Sequence, residues 1–106
     1  MKRTMTVSEA KRAILAWFDN NDPWRIYGPH VPTKIRRELG LEKAVFDAAI
    51  VELVKARTVY CAEHDHPWRL RPEERAELVA DGRGVFYCSI SDRRPALPLP
   101  YEAIPA

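Results

Sequence analysis

The sequence predicts one small α+β domain, in which a three-helix core packs with a small antiparallel sheet and one additional helix. Three observations support this class: a capping signal before an amphipathic stretch, two further amphipathic stretches separated by a glycine, and later β-branched or aromatic runs. The 106 residues, of which 46% are apolar, suffice for a single core. We therefore expect a domain over residues 1–92 and a proline-rich arm over residues 93–106.

The first helix is marked by Thr6 and Glu9, which have the spacing of a capping box. It should begin near Val7 and end within residues 19–23. An extended connection is expected over residues 24–32, because this segment contains two prolines and a glycine. The apolar face of the helix consists of Ala10, Ala13, Ile14, Trp17 and Phe18.

Residues 31–60 predict two short helices joined by a tight turn. Pro32 is acceptable in the first turn of the second helix, where its missing N–H would have no partner. Gly40 interrupts the apolar periodicity where a positive φ is needed, and Leu41 should pack between the helices. This layout is a helix-turn-helix. The apolar stripe of the third helix consists of Phe46, Ala49, Ile50, Leu53 and Val54.

A hairpin and a further helix are expected next. Residues 58–63 are β-branched and aromatic, and residues 68–71 could return antiparallel to them around a tip at residues 64–67. Residues 70–82 predict the additional helix, since a proline lies near its start and a glycine follows its end. The apolar run at residues 85–90 predicts a covered central strand or an interface strand.

The last 14 residues contain four prolines, which excludes a helix or a central strand there and predicts an extended arm.

With its helix-turn-helix at residues 31–60, the chain resembles the winged-helix superfamily over roughly residues 6–92. The resemblance implies that the predicted hairpin is the wing and that the third helix enters the major groove of DNA. It also implies that the second helix and the wing contact phosphates. The function expected on this basis is a DNA-binding transcriptional regulator that acts as a homodimer on double-stranded DNA.

Basic residues of the second helix and the wing are the expected phosphate contacts, and the third helix carries the expected base contacts. Lys43 could reach a base or a phosphate, and Ala44 or Ala48 could pack on a thymine methyl group. Residues 42–54 nevertheless contain one basic and three acidic residues, which is a poor charge balance for DNA. The predicted phosphate contacts are Thr33, Lys34, Arg36, Arg37, Arg57, His66 and Arg69.

An alternative function is a winged-helix module that binds protein. Its binding surface would be the apolar outer face of the third helix, formed by Ala44, Ala48 and Val51, or the strand at residues 85–90, or the arm. The charged side chains of the second helix could equally be an ordinary solvated helix face. The sequence leaves both functions open.

Two cysteines and two histidines could form a zinc site if the strands that carry Cys61 and Cys88 were adjacent. The C-x-x-H-x-H run formed with His64 and His66 is not a recognised ligand pattern, and isolated cysteines are more often core residues. We therefore predict no metal and no cofactor. The sequence also lacks a glycine-rich phosphate loop, a nucleophile elbow and a recognisable pair of catalytic carboxylates, so we predict no enzymatic activity.

The net charge of +2 is too small to indicate nucleic acid by itself. No apolar run approaches the roughly 20 residues needed to span a bilayer, and the N-terminus lacks the apolar stretch of a secretory signal. The sequence thus predicts a soluble cytoplasmic protein with reduced cysteines. A homodimer is expected because a lone winged helix covers one half-site and because residues 85–90 are apolar on both faces.

Overall fold

A computed structural model describes residues 5–98 and confirms the α+β class. Its elements within these residues, in chain order, are α1 (Val7–Asn21), α2 (Pro32–Leu39), α3 (Lys43–Lys55), β1 (Val59–Glu63), a 3-10 turn at Pro67–Arg69, α4 (Pro72–Arg75), β2 (Val79–Ala80) and β3 (Phe86–Asp92). None of the helices in the described part is long and apolar enough to cross a membrane.

The capping box at the start of α1 is confirmed. The Thr6 hydroxyl accepts a hydrogen bond from the Glu9 N–H at 3.1 Å, and the Glu9 carboxylate accepts one from the Thr6 N–H at 3.0 Å. Of the five residues predicted for the apolar face, Ala13 is half-buried and the other four are buried. The helix therefore begins and packs as the sequence pattern indicates.

The helix-turn-helix layout is also confirmed. Pro32 occupies the first turn of α2, and Gly40 ends the helix with a left-handed backbone at φ 65°. Leu41 is buried beside the turn, and the apolar stripe of α3 is buried except for Val54, which is half-buried. Residues from α1, α2, α3 and all three strands share one hydrophobic core.

The strand β3 lies at the centre of the sheet, with β1 on one side and β2 on the other. Both pairings are antiparallel, and Ile90 of β3 lies opposite Cys61 of β1. On the side away from β1, Ile90 also exchanges backbone hydrogen bonds with His30 at 2.8 and 2.9 Å. The prediction of a central strand at residues 85–90 is thus confirmed, with the strand running on to Asp92.

The predicted hairpin at residues 58–71 is wrong, because β1 pairs with β3 and residues 67–69 form a 3-10 turn. The Arg75 side chain stabilises this turn by donating hydrogen bonds to the carbonyls of Pro67 and Leu70 at 3.1 and 3.0 Å. His66 consequently does not lie at the tip of a hairpin.

The predicted helix over residues 70–82 is also wrong beyond its first turn. Only Pro72–Arg75 is helical, since Val79 is buried in the core and pairs with Tyr87 as part of β2. Gly82 does not follow a helix but lies in the turn of the β2–β3 hairpin at φ 81°. Tertiary burial of one valine therefore overrides the local helical signal.

The beginning of the predicted arm packs on α1. The Arg94 guanidinium donates to the Leu15 carbonyl and the Asp19 carboxylate, each at 2.9 Å, and the Leu97 N–H donates to the Pro23 carbonyl at 2.8 Å. Residues 93–98 form no helix or strand. The remainder of the predicted arm, residues 99–106, lies outside the described residues.

Candidate functional site

The predicted phosphate contacts on α2 divide into two pairs. Thr33 is buried, and its hydroxyl donates to the Glu77 carbonyl at 2.6 Å. Arg37 donates to both carboxylate oxygens of Glu77, at 3.0 and 3.2 Å. Lys34 is exposed and Arg36 half-exposed, and neither side chain bonds to another described residue. Thr33 is therefore held inside the fold, whereas Arg37 is paired at the surface, where its side chain is 65% exposed.

Lys43, the predicted base contact, is held by the sheet. Its ammonium group donates to the Asp47 carboxylate and, at 2.9 Å, to the Leu78 carbonyl. The same Asp47 oxygen accepts from the Ala80 N–H at 3.3 Å. The outer edge of a strand normally exposes such carbonyl and N–H groups. Here the side chains of α3 occupy them, so Lys43 and Asp47 dock α3 against β2.

The outer face of α3 forms one wall of an open groove with a volume of about 490 Å³. The other wall is the turn that follows β2. The middle of the α3 wall is apolar, formed by Ala44, Ala48 and Val51, and α3 ends at Lys55. The full lining is Ala44, Asp47, Ala48, Val51, Glu52, Lys55, Ala80, Asp81 and Gly82.

Three carboxylates and one ammonium group line this groove, which gives the lining a net charge of −2. Lys43 lies beside Asp47, and Lys11 forms an ion pair with Glu52 at 3.1 Å. Asp81 makes no ion pair within residues 5–98, and its carboxylate accepts only the N–H groups of its own turn. The groove therefore combines an apolar centre with a charged rim, in which Asp47 and Glu52 are each paired with a lysine.

The other predicted contacts lie outside this groove. Arg57 follows α3 with a positive φ of 61° and an exposed side chain. His66 and Arg69 are exposed in the segment between β1 and β2, where the His66 ring contacts the exposed Trp68 ring edge-on, 5.2 Å between centroids. The predicted phosphate contacts outside α2 thus lie after α3 and in the segment between β1 and β2.

The sequence pattern does not predict the polar cluster that the structure shows in the α1–α2 loop. One oxygen of the buried Asp22 carboxylate accepts the N–H groups of Ile26 and Tyr27, at 2.9 and 3.1 Å, and the other contacts His30 Nε2 at 2.9 Å. Burial raises the pKa of Asp22, but the hydrogen bonds from His30 and the two amides outweigh it and hold this pKa below 3.8. Asp22 therefore stays ionised and holds the loop around itself.

A second part of the cluster joins this loop to the end of β3. The side chain of Asp92 is fully buried between two arginines: Arg94 Nη2 lies 2.7 Å from its carboxylate, and Arg25 Nε lies 3.2 Å from it. Both arginines also bind Asp19. The hydrogen bonds that Arg94 donates to the Asp92 carboxylate are the main reason why the pKa of Arg94 is raised. Asp92 and Arg94 lie about 70 residues from the loop, so local spacing gave no signal for these contacts.

The two thiols do not form a metal centre with the neighbouring histidines. Within residues 5–98, no three histidine, cysteine or acidic side chains are placed to hold one metal ion. Burial raises the pKa of Cys61 to about 12, so its thiol stays protonated. The Cys88 thiol donates weakly to the Ala62 carbonyl at 3.5 Å.

Within residues 5–98, the side chains predicted to bind DNA or protein thus lie mainly in two places: the groove between α3 and the β2–β3 turn, and the exposed basic residues outside it. Comparisons with protein-family models, with curated proteins and with solved structures find no match to this chain.

Proposed function

We propose that this chain is a protein-interaction domain whose groove between α3 and the β2–β3 turn binds an apolar segment of another protein. This proposal rests on the outer face of α3, where Ala44, Ala48 and Val51 form an apolar wall. Reading DNA from this face would need side chains that reach base edges. Lys43, which could do so, is instead bonded to Asp47 and Leu78.

The other two protein-binding surfaces suggested by the sequence are less available. β3 has neighbours on both sides, so it offers no open edge to a partner strand. The described part of the arm is bonded to α1 and to the following loop through Arg94 and Leu97. Of these three surfaces in the described part of the chain, the α3 groove is thus the one that remains accessible to a partner.

The chemistry of the groove defines the partner. An apolar centre with a charged rim is the usual anatomy of a protein interface. The small side chains at positions 44, 48 and 51 let a partner backbone approach α3 closely. Because Asp81 has no cationic partner within residues 5–98, we expect a lysine or arginine beside the apolar residues of the partner.

Selection from a random peptide library on the immobilised domain tests this proposal. Enriched peptides should combine apolar residues with a basic residue, and Ala44→Arg should weaken their binding at least tenfold by blocking the groove. Ala56→Arg is the matched control, since Ala56 is exposed just beyond α3 and does not line the groove. The proposal is wrong if no sequence is enriched, or if the enriched peptides bind both variants equally well.

DNA binding is the second candidate function. It is favoured by Lys34, Arg36, Arg57 and Arg69, whose side chains make no hydrogen bond or ion pair with other residues in the range 5–98. Such free cations can contact phosphates, which supply most of the nonspecific affinity for DNA. Here α2 and the segment after β1 would carry the binding, and α3 would contribute little.

Fluorescence polarisation of a labelled random duplex over a salt series tests this second function. Phosphate contacts on the order of three or four should give a linear fall of log affinity with log salt. The double change Lys34→Ala and Arg36→Ala should flatten the slope, and Arg37→Ala should do so less because Glu77 already pairs with Arg37. Absence of binding at about 50 mM salt would exclude DNA as the partner.

A further inference from the structure

A second cavity adjoins the α3 groove at the C-terminal end of α3. Its volume is about 80 Å³, and Val51, Lys55 and Asp81 line both this cavity and the groove. The two spaces therefore form one continuous surface. One water molecule needs roughly 10 to 15 Å³ of such volume, so a small polar group of a partner fits in the second cavity. Its full lining is Val51, Val54, Lys55, Asp81, Arg83 and Tyr87.

The charges of the second cavity differ from those of the groove. Lys55 and Arg83 are exposed, and neither side chain forms a hydrogen bond or an ion pair within residues 5–98. The carboxylate of Asp81 uses one oxygen to accept the N–H groups of Arg83 and Val85, at 2.7 and 3.1 Å. Two cations and one carboxylate give the lining of the second cavity a net charge of +1, whereas the lining of the groove has a net charge of −2.

Tyr87 adds a third hydrogen-bond donor to this lining. Its hydroxyl group makes no hydrogen bond to another residue in the range 5–98. Burial is the main cause that raises the pKa of Tyr87, and the carboxylates of Asp81 and Glu63 raise it further. The hydroxyl group therefore keeps its proton at neutral pH. An ammonium, a guanidinium and a phenol are all donors, so the group that suits them is a negatively charged acceptor.

We infer, on the basis of the proposed function, that the second cavity receives the carboxylate of an aspartate or glutamate in the segment bound by the groove. This carboxylate neutralises the excess positive charge of Lys55 and Arg83. The apolar residues of the same segment lie on the apolar wall of α3. The partner segment thus carries charges of both signs, because the groove also favours a basic residue beside Asp81. Paired charges of this kind select one partner and one orientation more than they add affinity.

Fluorescence polarisation of labelled peptides selected on the full chain tests this inference. The peptides, used with amidated C-termini, should contain an aspartate or glutamate, and its replacement by asparagine or glutamine should weaken binding by about tenfold or more. This change tests the contact without altering the protein. The double change Lys55→Glu and Arg83→Glu should weaken binding of the acidic peptide by a similar factor. A peptide with lysine at the acidic position should bind this double variant more tightly than it binds the wild type.

The matched control is the double change Lys34→Glu and Arg57→Glu. It alters the net charge by the same amount at two exposed residues that line neither cavity, so binding of the acidic peptide should change little. Circular dichroism should show that both double variants are folded. Groove-binding peptides without an acidic residue, or equal weakening in the two double variants, would overturn the inference and leave the proposed function standing. Failure to enrich any peptide would overturn both.

Discussion

At the scale of single residues, Asp22 has the largest influence on the α1–α2 loop. Its carboxylate accepts two backbone N–H groups and contacts one imidazole, so a single side chain sets the direction of Ile26, Tyr27 and His30. Asp22 also ends α1 with its own N–H, which donates to the Phe18 carbonyl at 2.7 Å.

Asp22→Asn should lower the free energy of unfolding by about 1 to 3 kcal/mol at neutral pH, because buried charged hydrogen bonds are lost. The folded-state pKa of Asp22 lies below its ordinary value of 3.8. Its stabilisation is therefore complete above that value and is lost as the pH falls through the lower, folded-state pKa. Urea unfolding at pH 7, 5 and 3 should show the gap between wild type and variant narrowing at pH 3.

The exposed Asp65 provides the control, since Asp65→Asn should change stability by less than about 0.5 kcal/mol. A gap between wild type and Asp22→Asn that stays constant from pH 7 to pH 3 would contradict the assigned role of the carboxylate.

At the scale of elements, α3 has three surfaces with different tasks. Its inner face supplies the core through Phe46 and its neighbours, its N-terminal turn binds the edge of β2, and its outer face lines the groove. The second of these tasks explains why Lys43 is bonded within the fold. A side chain that occupies a strand edge is not free to bind a ligand.

Asp47→Ala should destabilise the protein by about 1 to 2 kcal/mol, since the Ala80 N–H loses its partner and Lys43 loses one of its two. The Ala80 amide should exchange with deuterium at least tenfold faster, which NMR can measure. Glu52→Ala on the same helix is the control, because its ion pair with Lys11 is at the surface and contributes little. Unchanged exchange at Ala80 would show that Asp47 does not hold the edge of β2.

Phe46→Ala should lower the free energy of unfolding by about 3 to 5 kcal/mol, since the ring is almost completely buried. Val45→Ala should cost clearly less, because Val45 is only half-buried. Thermal melts of the two variants measure the difference. Equal losses of stability in the two variants would mean that Phe46 does not lie on the side of α3 that faces the core.

The elements predicted correctly are those whose signals are local. The capping box at Thr6, the left-handed Gly40 and the periodicity of α3 each act within a few residues. The segment between β1 and β3 could not be predicted in the same way. A helical pattern at residues 70–82 lost to the burial of Val79, and burial depends on residues remote in sequence.

At the scale of the whole molecule, Arg94 connects the two ends of the architecture. It binds Asp92 at the end of β3, and Asp19 and the Leu15 carbonyl of α1, which are 75 and 79 residues away in sequence. Its guanidinium group thus joins the sheet to the first helix, as the Arg25 guanidinium also does through Asp19 and Asp92. The same group helps to neutralise the buried charge of Asp92.

Arg94→Gln should therefore lower the free energy of unfolding by about 2 to 4 kcal/mol, because it leaves a buried carboxylate with Arg25 as its cationic partner. Arg93→Gln is the matched control, since the neighbouring Arg93 is exposed. Denaturant titration of both variants measures the difference. Similar stability in the two would show that Asp92 does not need Arg94.

The candidate surfaces were only partly predictable for the same reason. The apolar outer face of α3 could be read from Ala44, Ala48 and Val51, because a helix repeats every 3.6 residues. The face becomes a groove because Asp81 and Gly82 in the β2–β3 turn form its other wall. These two residues lie near α3 because of the sheet pairing, which the local sequence does not show. The pairing of Thr33, Arg37 and Lys43 with residues 77 and 78 likewise follows from the tertiary fold.

The docking of α3 against β2 separates the positions of this helix that can diverge in evolution from those that cannot. A replacement that removes the donor at Lys43 or the acceptor at Asp47 leaves a backbone group of Leu78 or Ala80 without this partner, so selection for stability constrains both positions. Ala44, Ala48 and Val51 carry no such bond. Homologues that retain this fold but bind different partners should therefore vary at these three positions and retain the lysine and aspartate.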